Sequence, residues 1–213
     1  MGLYEVIELF QAAWTTMWIS AISIVIGIIS ALIIAMIREK KIPFLTEILT
    51  FYISIIRAVP LVTLTLFVFL SIPSFGINLH CITAGIIALT VNTTAFNAEI
   101  FRSALEQFSP DQREAAESIG MTNFTFYRYI MLPQIFTISL PALVNEMSNL
   151  IKSTPAIAMI GVIDLTQVTK QISSVTYEPM PPILCAGVIY MLMISFLVKA
   201  QRMAEKKALR LAM

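Results

Sequence analysis

Long apolar runs separated by short polar segments occupy most of the chain. The run from Trp14 to Ile37 contains no charged residue, and about 20 mostly apolar residues are enough for a helix to cross the hydrocarbon core of a bilayer. Further apolar runs cover residues 48–72, 81–100, 133–151 and 182–198. The last of these is short and follows the helix-breaking stretch EPMPP. The pattern predicts five membrane-spanning helices.

The basic residues are distributed unevenly between the two sides that five spans define. Of the 14 lysines and arginines, Arg57 lies within a span and only Lys152 and Lys170 fall on one side. The others are Arg38, Lys40, Lys41, Arg102, Arg113, Arg128, Lys199, Arg202, Lys206, Lys207 and Arg210. Cytoplasmic loops carry an excess of basic residues, so we predict an outer N-terminus and a cytoplasmic C-terminus.

The composition supports the same class of protein. Hydrophobic residues make up 58% of the 213 residues, charged residues 13%, and the mean hydropathy is +0.84, which is far more apolar than a soluble domain. The formal net charge of +1 gives no global field that would attract nucleic acid. Cys81, Cys185 and the single histidine, His80, have no spacing typical of a metal site. We therefore expect one membrane domain over residues 1–213, without a metal or cofactor of its own.

Two polar segments carry helix-capping patterns. On the outer side, Asp164 precedes a segment that places Leu165, Val168, Ile172 and Val175 at helical spacing, which predicts a short amphipathic helix on the membrane face. Between the third and fourth spans, SPDQREAAESIG begins with Ser109 as N-cap, Pro110 at the first helical position and Gln112 completing a capping box.

The segment between the third and fourth spans, about residues 103–133, is predicted to be a helical hairpin. Gly120 would end its first helix, a second helix would start after Thr122 or Asn123, and Pro133 would turn the chain back into the membrane. An ordinary connector with solvated charges is one interpretation. The other is a docking surface, because small and aromatic residues are more frequent than a connector needs: Ala115, Ala116, Ile119, Phe124, Phe126 and Tyr127.

The layout of this hairpin resembles a known family pattern. It contains Glu114-Ala115-Ala116, then Gly120 after three residues, Ile130 after nine more, and Leu132-Pro133 after one more. The hairpin is in this respect similar to the EAA signature of membrane subunits of ATP-binding-cassette importers. YISIIRAVPLVTLTLF, LTVNTTAFNAEIFRSAL and the stretch LPQIFTISLPALVNEMSNLIKSTPAIAMIGVIDL resemble the polar amino-acid permease branch, which includes histidine-, glutamine- and arginine-type permeases. RAVP and KSTPA depart from the more frequent RGTP and KDTSL of that branch. We call residues 103–133 the EAA hairpin.

The resemblance implies a fold and a set of partners. The fold would be an all-α, five-span membrane subunit of a type I importer in a bacterial plasma membrane. It would pair with a second permease subunit, either another copy or a paralogue, bind two ATPase subunits that hold ATP and Mg²⁺, and receive an amino acid from an extracytoplasmic binding protein. Glu114, Ala115, Ala116 and Gly120 would be the docking residues for the ATPase. The chain lacks the GxxxxGK[ST] and GxGxxG patterns.

Polar residues within the predicted spans suggest a substrate pathway. Arg57 lies three residues before Pro60, whose missing N–H would loosen the helix, and ionisable groups inside a bilayer usually face a pathway or a partner. A structural ion pair is the alternative. Polar stripes occur on the third span and on the fourth: Thr90, Thr93, Thr94 and Asn97, then Asn145, Ser148, Asn149 and Lys152. They would line a water-filled passage or form interhelical hydrogen bonds.

Two acidic residues in the spans have different interpretations. Glu99 lies three residues before Arg102, so an ion pair within one helix explains it. Glu146 has no such neighbour, and for a zwitterionic substrate Arg57 and Glu146 would suit the carboxylate and the ammonium group. A self-contained ion-coupled carrier or channel is the rival function, but the sequence shows neither internal repeat symmetry nor coupling carboxylates in mid-span.

Overall fold

All secondary structure in the described part of the chain is helical. A computed structural model describes the backbone of residues 2–212 and the side chains of residues 2–203, so the side chains of Lys206, Lys207 and Arg210 lie outside the described residues. The helices are α1 (Leu3–Glu39), α2 (Leu45–Ala58), α3 (Leu61–Ser71), α4 (Cys81–Glu106), α5 (Pro110–Ser118), α6 (Asn123–Phe126), α7 (Leu132–Ser153), α8 (Pro155–Ala158), α9 (Leu165–Thr176) and α10 (Met180–Ala212).

Four helical segments are long and apolar enough to cross a membrane. They are α1, α4, the segment Asn123–Ala158 and α10 up to Met203, and the bent pair of α2 and α3 makes a fifth if it counts as one span. The predicted all-α, membrane-spanning class is therefore confirmed. The orientation of the two ends stays a prediction.

The predicted second span over residues 48–72 is bent, and the break is larger than the local loosening predicted at Pro60. The axes of α2 and α3 differ by 112°. Val59 has an extended backbone and Pro60 follows it with ψ 137°, because a residue before proline is driven away from helical geometry and proline cannot donate the next hydrogen bond. At about 1.5 Å per residue, neither helix alone covers the hydrocarbon core.

The predicted turn at Pro133 is wrong. The second helix of the EAA hairpin begins at Asn123, where the Thr122 hydroxyl accepts the Thr125 N–H at 3.3 Å. It then passes through a π-helical turn at Tyr127–Met131 into α7. Pro133 lies in the first turn of α7, where the register of backbone hydrogen bonds shifts and a missing N–H is tolerated. The hairpin is thus joined to α7 without a break.

Small residues bring α1 and α4 close together. Ala31 and Ala35 of α1 and Ala95 and Ala98 of α4 are completely buried in one cluster. Gly27 lies directly against Thr93. Helices in membranes associate through such close packing, because lipid provides no hydrophobic driving force between them.

We expect Gly27→Ala to lower the stability of the protein. An added Cβ would overlap the Cγ2 of Thr93, and Thr93 is held in place because its hydroxyl accepts a hydrogen bond from Asn97 at 3.1 Å. Overpacking of this kind costs about 1–3 kcal/mol. The measurement is the midpoint of thermal unfolding in detergent. Gly187→Ala in α10 is the matched control, since a Cβ there meets nothing within 4 Å; equal midpoints for the two variants would contradict the expectation.

The predicted amphipathic helix is present as α9. Asp164 is its N-cap and accepts the Gln167 N–H at 2.8 Å, as predicted. Leu165, Val168 and Ile172 are buried with residues of α1 and α10, so α9 packs on the helices of the chain itself. Val175 is 78% exposed and does not share the buried face, since it lies in the last turn of α9.

Burial raises the pKa of the Asp164 carboxyl above its ordinary value. The residue is completely buried and its Oδ2 has no partner among the described atoms. Because the pKa is higher in the folded state than in the unfolded state, burying the charged carboxylate lowers the free energy of unfolding. This destabilisation is absent below the unfolded-state pKa and fully present above the folded-state pKa.

We therefore expect Asp164→Asn, which keeps the capping oxygen, to unfold at an equal or higher temperature than wild type at pH 8. This advantage should shrink as the pH falls through the raised pKa. Thermal unfolding between pH 5 and pH 8 measures it, with exposed Asp111→Asn as control. A variant that is less stable at every pH would indicate that the charge is compensated.

Candidate functional site

A Schellman motif at Gly120 builds the tip of the EAA hairpin. Gly120 has φ +70°, its N–H donates to Glu117 O, and the Met121 N–H donates to Ala116 O, both at 3.0 Å. Met121 also packs on the cluster that contains Ala116, which is the apolar contact typical of this motif. The predicted helix–glycine–helix arrangement is confirmed.

The start of α5 agrees only partly with the predicted capping box. The Ser109 hydroxyl accepts the Asp111 N–H at 3.3 Å, and Pro110 is the first helical residue. Gln112 does not complete the box. Its side chain instead exchanges hydrogen bonds with the side chain of Gln134, at 3.3 and 2.8 Å. Gln134 takes the side chain of Gln112 away from the capping position, because the continuous helix places Gln134 beside α5.

The four EAA residues divide between the surface and the interior. Glu114, Ala115 and Gly120 are exposed, and Glu114 has no side-chain partner in the described part of the chain. Ala116 is only 5% exposed and packs in the same cluster as Phe126 and Met131. Ala116 therefore fastens α5 to the rest of the chain, while the other three form an accessible surface.

Apolar side chains extend this accessible surface. Ile119 and Phe124, on either side of the Gly120 turn, are 76% and 77% exposed. Of the other aromatic residues predicted there, Phe126 is buried and Tyr127 is half-buried with its hydroxyl donating to Glu39. Large exposed apolar side chains beside an ordered turn indicate a contact surface.

An open cavity of about 380 Å³, lined by both polar and apolar side chains, lies between α2, α4 and α7. Three of the predicted pathway residues line it: Arg57, Asn145 and Glu146. The Arg57 guanidinium lies 5.3 Å from the centre of the Phe96 ring, in cation–π geometry. The cavity thus combines one cation, Arg57, with two carboxylates, Glu99 and Glu146, and an aromatic surface.

The other predicted pathway residues lie outside this cavity. Asn97 is completely buried, Thr94 is 5% exposed, and Thr90 is half-buried with its hydroxyl unpartnered among the described atoms. This stripe is largely enclosed by helix packing, but the hydrogen bond from Asn97 to Thr93 lies within α4 and does not join two helices. Asn149 and Lys152 are exposed on α7 but do not line the cavity.

Several lining residues escaped the sequence analysis. Phe96, Glu99, Ser103 and Gln107 all line the cavity from α4, and their spacing of three or four residues places them on one helix face. This spacing in the sequence could have identified the cavity-facing side of α4. Glu99 was explained by its pair with Arg102, which forms as predicted, but the Arg38 guanidinium of α1 also donates to Glu99 at 3.0 Å.

Comparison with known proteins identifies the family. The family model described as "Binding-protein-dependent transport system inner membrane component" matches residues 23–210. The chain belongs to this family. The permease is 34% identical over 192 residues to the probable amino-acid ABC transporter permease protein YckA of Bacillus subtilis, covering 90% of this chain and 85% of the relative.

Two further comparisons agree. The permease is 30% identical over 207 residues to the putative glutamine transport system permease protein GlnP of Rickettsia prowazekii, covering 95% and 94% of the two chains. A solved structure described as an amino acid ABC transporter with histidines matches with TM-score 0.84 and 32% identity over 94% of each chain. The permease is therefore a multi-pass membrane subunit of an amino-acid ATP-binding-cassette importer.

Proposed function

We propose that this permease forms a pathway for a polar amino acid and is driven by a separate ATPase subunit docked on the EAA hairpin. The observation that carries the proposal is the exposed turn with Glu114, Ala115 and Gly120, fastened through Ala116 to the core and continuous with α7. Force applied at the turn would reach the helix that carries Asn145 and Glu146.

The proposed assembly places the EAA hairpin in the bacterial cytoplasm. Two ATPase subunits, each with ATP and Mg²⁺, would bind there, and a substrate-binding protein would deliver the amino acid on the outer face. A second permease subunit, identical or paralogous, would complete the passage. The apolar surface that a single chain leaves uncovered supports pairing. Large side chains of α2 and α3, such as Phe51, Phe67 and Leu70, are at least 65% exposed, and a second subunit would cover part of this surface.

The proposed substrate site is the cavity between α2, α4 and α7. A free amino acid carries a carboxylate and an ammonium group, which Arg57 and Glu146 would pair with, respectively. Charge-assisted hydrogen bonds are stronger than neutral ones, and Asn145, which is exposed in the single subunit, offers both a donor and an acceptor beside them.

ATPase activity of the assembled complex tests this function. The permease would be co-purified with the ATPase and binding protein encoded beside it and reconstituted in lipid, and hydrolysis measured with each candidate amino acid. We expect one or a few polar amino acids to stimulate hydrolysis only with the binding protein present. Uptake driven by an ion gradient, without a co-purifying ATPase, would support the carrier alternative instead.

A further inference from the structure

Two consecutive residues at the end of α1 hold different parts of the permease. Arg38 and Glu39 are the last two residues of the helix. The side chain of Glu39 is bonded to the EAA hairpin, and the side chain of Arg38 is bonded to α4. The final turn of α1 therefore contacts both the proposed docking element and the helix that lines the cavity.

The contact with the hairpin has three members. Arg113, the residue before Glu114, donates to Glu39 Oε1 at 3.3 Å. The Tyr127 hydroxyl donates to Glu39 Oε2 at 3.2 Å and accepts from Arg113 Nη2 at 3.5 Å. Both oxygens of one carboxylate are thus used, one by α5 and one by the π-helical turn.

The contact with α4 leads to the cavity. Arg38 Nη1 donates to Glu99 Oε2 at 3.0 Å, and the two side chains are only 11% and 24% exposed. Glu99 also pairs with Arg102 on its own helix and lines the cavity. Two ion pairs and one helical turn therefore connect α5 to a cavity wall.

The position of Glu39 is unfavourable for the helix taken alone. A helix C-terminus carries partial negative charge, so a carboxylate there is repelled unless a cation lies beside it. Arg113 supplies that cation from 74 residues further along the chain. The side chain of Glu39 is 23% exposed and that of Arg113 is 43% exposed, so water screens the pair from the Arg113 side and shields it less at Glu39.

We propose that the last turn of α1 is a relay, in which Glu39 and Arg38 are positioning residues that transmit movement of the EAA helix to the cavity wall at Glu99. The proposal rests on the proposed function, because it assumes that an ATPase moves the hairpin. Movement of the hairpin would then reach the cavity by two routes, directly through α7 and through the last turn of α1. Chains of packed side chains and ion pairs can carry coupling between distant sites, and mutations along them can change that coupling.

The test compares Glu39→Gln with Glu117→Gln in the reconstituted complex. Both carboxylates pair with Arg113, but Glu117 belongs to α5 itself, so its removal leaves the link between α5 and α1 intact. We expect Glu39→Gln to reduce the amino acid taken up per ATP hydrolysed by about tenfold, with ATPase association and basal hydrolysis unchanged. Glu117→Gln should stay within about twofold of wild type.

Two further variants separate a relay from a general loss of stability. Arg38→Gln breaks the other half of the route, and we expect the same loss of uptake per ATP. The double variant Glu39→Gln with Arg113→Gln should take up as much amino acid per ATP as the poorer of the two single variants, because each single variant already removes the same interaction. Thermal unfolding midpoints of the variants identify any that are simply destabilised.

The outcomes distinguish the relay from the proposed function. If the wild-type complex shows no ATP-driven uptake, the proposed function itself fails. If wild type transports normally and Glu39→Gln couples as well as Glu117→Gln, the relay is overturned and the importer function stands. Additive losses in the double variant would also overturn it, since the two residues would then act separately.

Discussion

Gly120→Val should abolish association of the ATPase subunit and ATP-driven uptake while the permease still inserts in the membrane. Gly120 has φ +70°, and a Cβ at this position meets no atom within 4 Å, so the cost is conformational and not steric. Holding a non-glycine residue in this region costs about 1–3 kcal/mol, and a β-branched residue is among the worst. The turn would relax and move Glu114 and Ala115 relative to Phe124.

Co-purification of the ATPase and uptake in reconstituted vesicles measure this effect. Gly120→Asn is the matched control, because asparagine tolerates positive φ, and it should retain most of the association. Glu114→Lys reverses a charge on the exposed surface without touching the turn, and we expect it to weaken association as well. Normal association of both Gly120→Val and Glu114→Lys would show that the ATPase docks elsewhere.

Arg57→Ala and Glu146→Gln should each reduce amino-acid uptake by about 30-fold or more. Both residues line the cavity, and Arg57 is exposed in the single subunit. Once the substrate and a second subunit cover the cavity, removing one partner of a hydrogen-bonded charge pair would cost about 2–5 kcal/mol in binding. Among the described residues, the Arg57 guanidinium has no carboxylate partner within 4 Å. Its cation–π contact with Phe96 uses none of its N–H donors, so they can bind the carboxylate of a substrate.

The readout is the apparent affinity for the amino acid in uptake assays, with membrane levels of each variant checked. Arg57→Lys keeps the charge but not the planar donor geometry, so it should retain part of the affinity. Glu146→Gln keeps the shape of the side chain and removes only the charge. An apparent affinity equal to wild type in both Arg57→Ala and Glu146→Gln would place the substrate site outside this cavity.

The local features of the EAA hairpin were predictable because each depends on residues close in the chain. Ser109 caps its own helix, Gly120 provides the positive φ of its own turn, and Thr122 caps the next helix. The apolar runs likewise predicted membrane helices, because run length and composition are enough to decide insertion.

Predictions failed where two local tendencies competed or where the partner was distant. Pro60 was expected to loosen one helix, yet together with Val59 it produces a 112° bend. Pro133 was expected to end a helix, but the π-helical turn before it accommodates the proline. Gln112 was assigned to a capping box and instead pairs with Gln134, 22 residues away.

The sequence alone determined the class of the protein, the membrane-spanning runs, the ordered hairpin and the family resemblance, since composition, periodicity and turn chemistry act over a few residues. The tertiary structure decided which polar residues face a cavity and which are enclosed by helix packing. It also decided the pairs of Arg38 with Glu99 and Glu39 with Arg113, which are 61 and 74 residues apart. Such pairs depend on how helices cross and rotate against one another, and helical periodicity alone does not specify the neighbour that each face will meet.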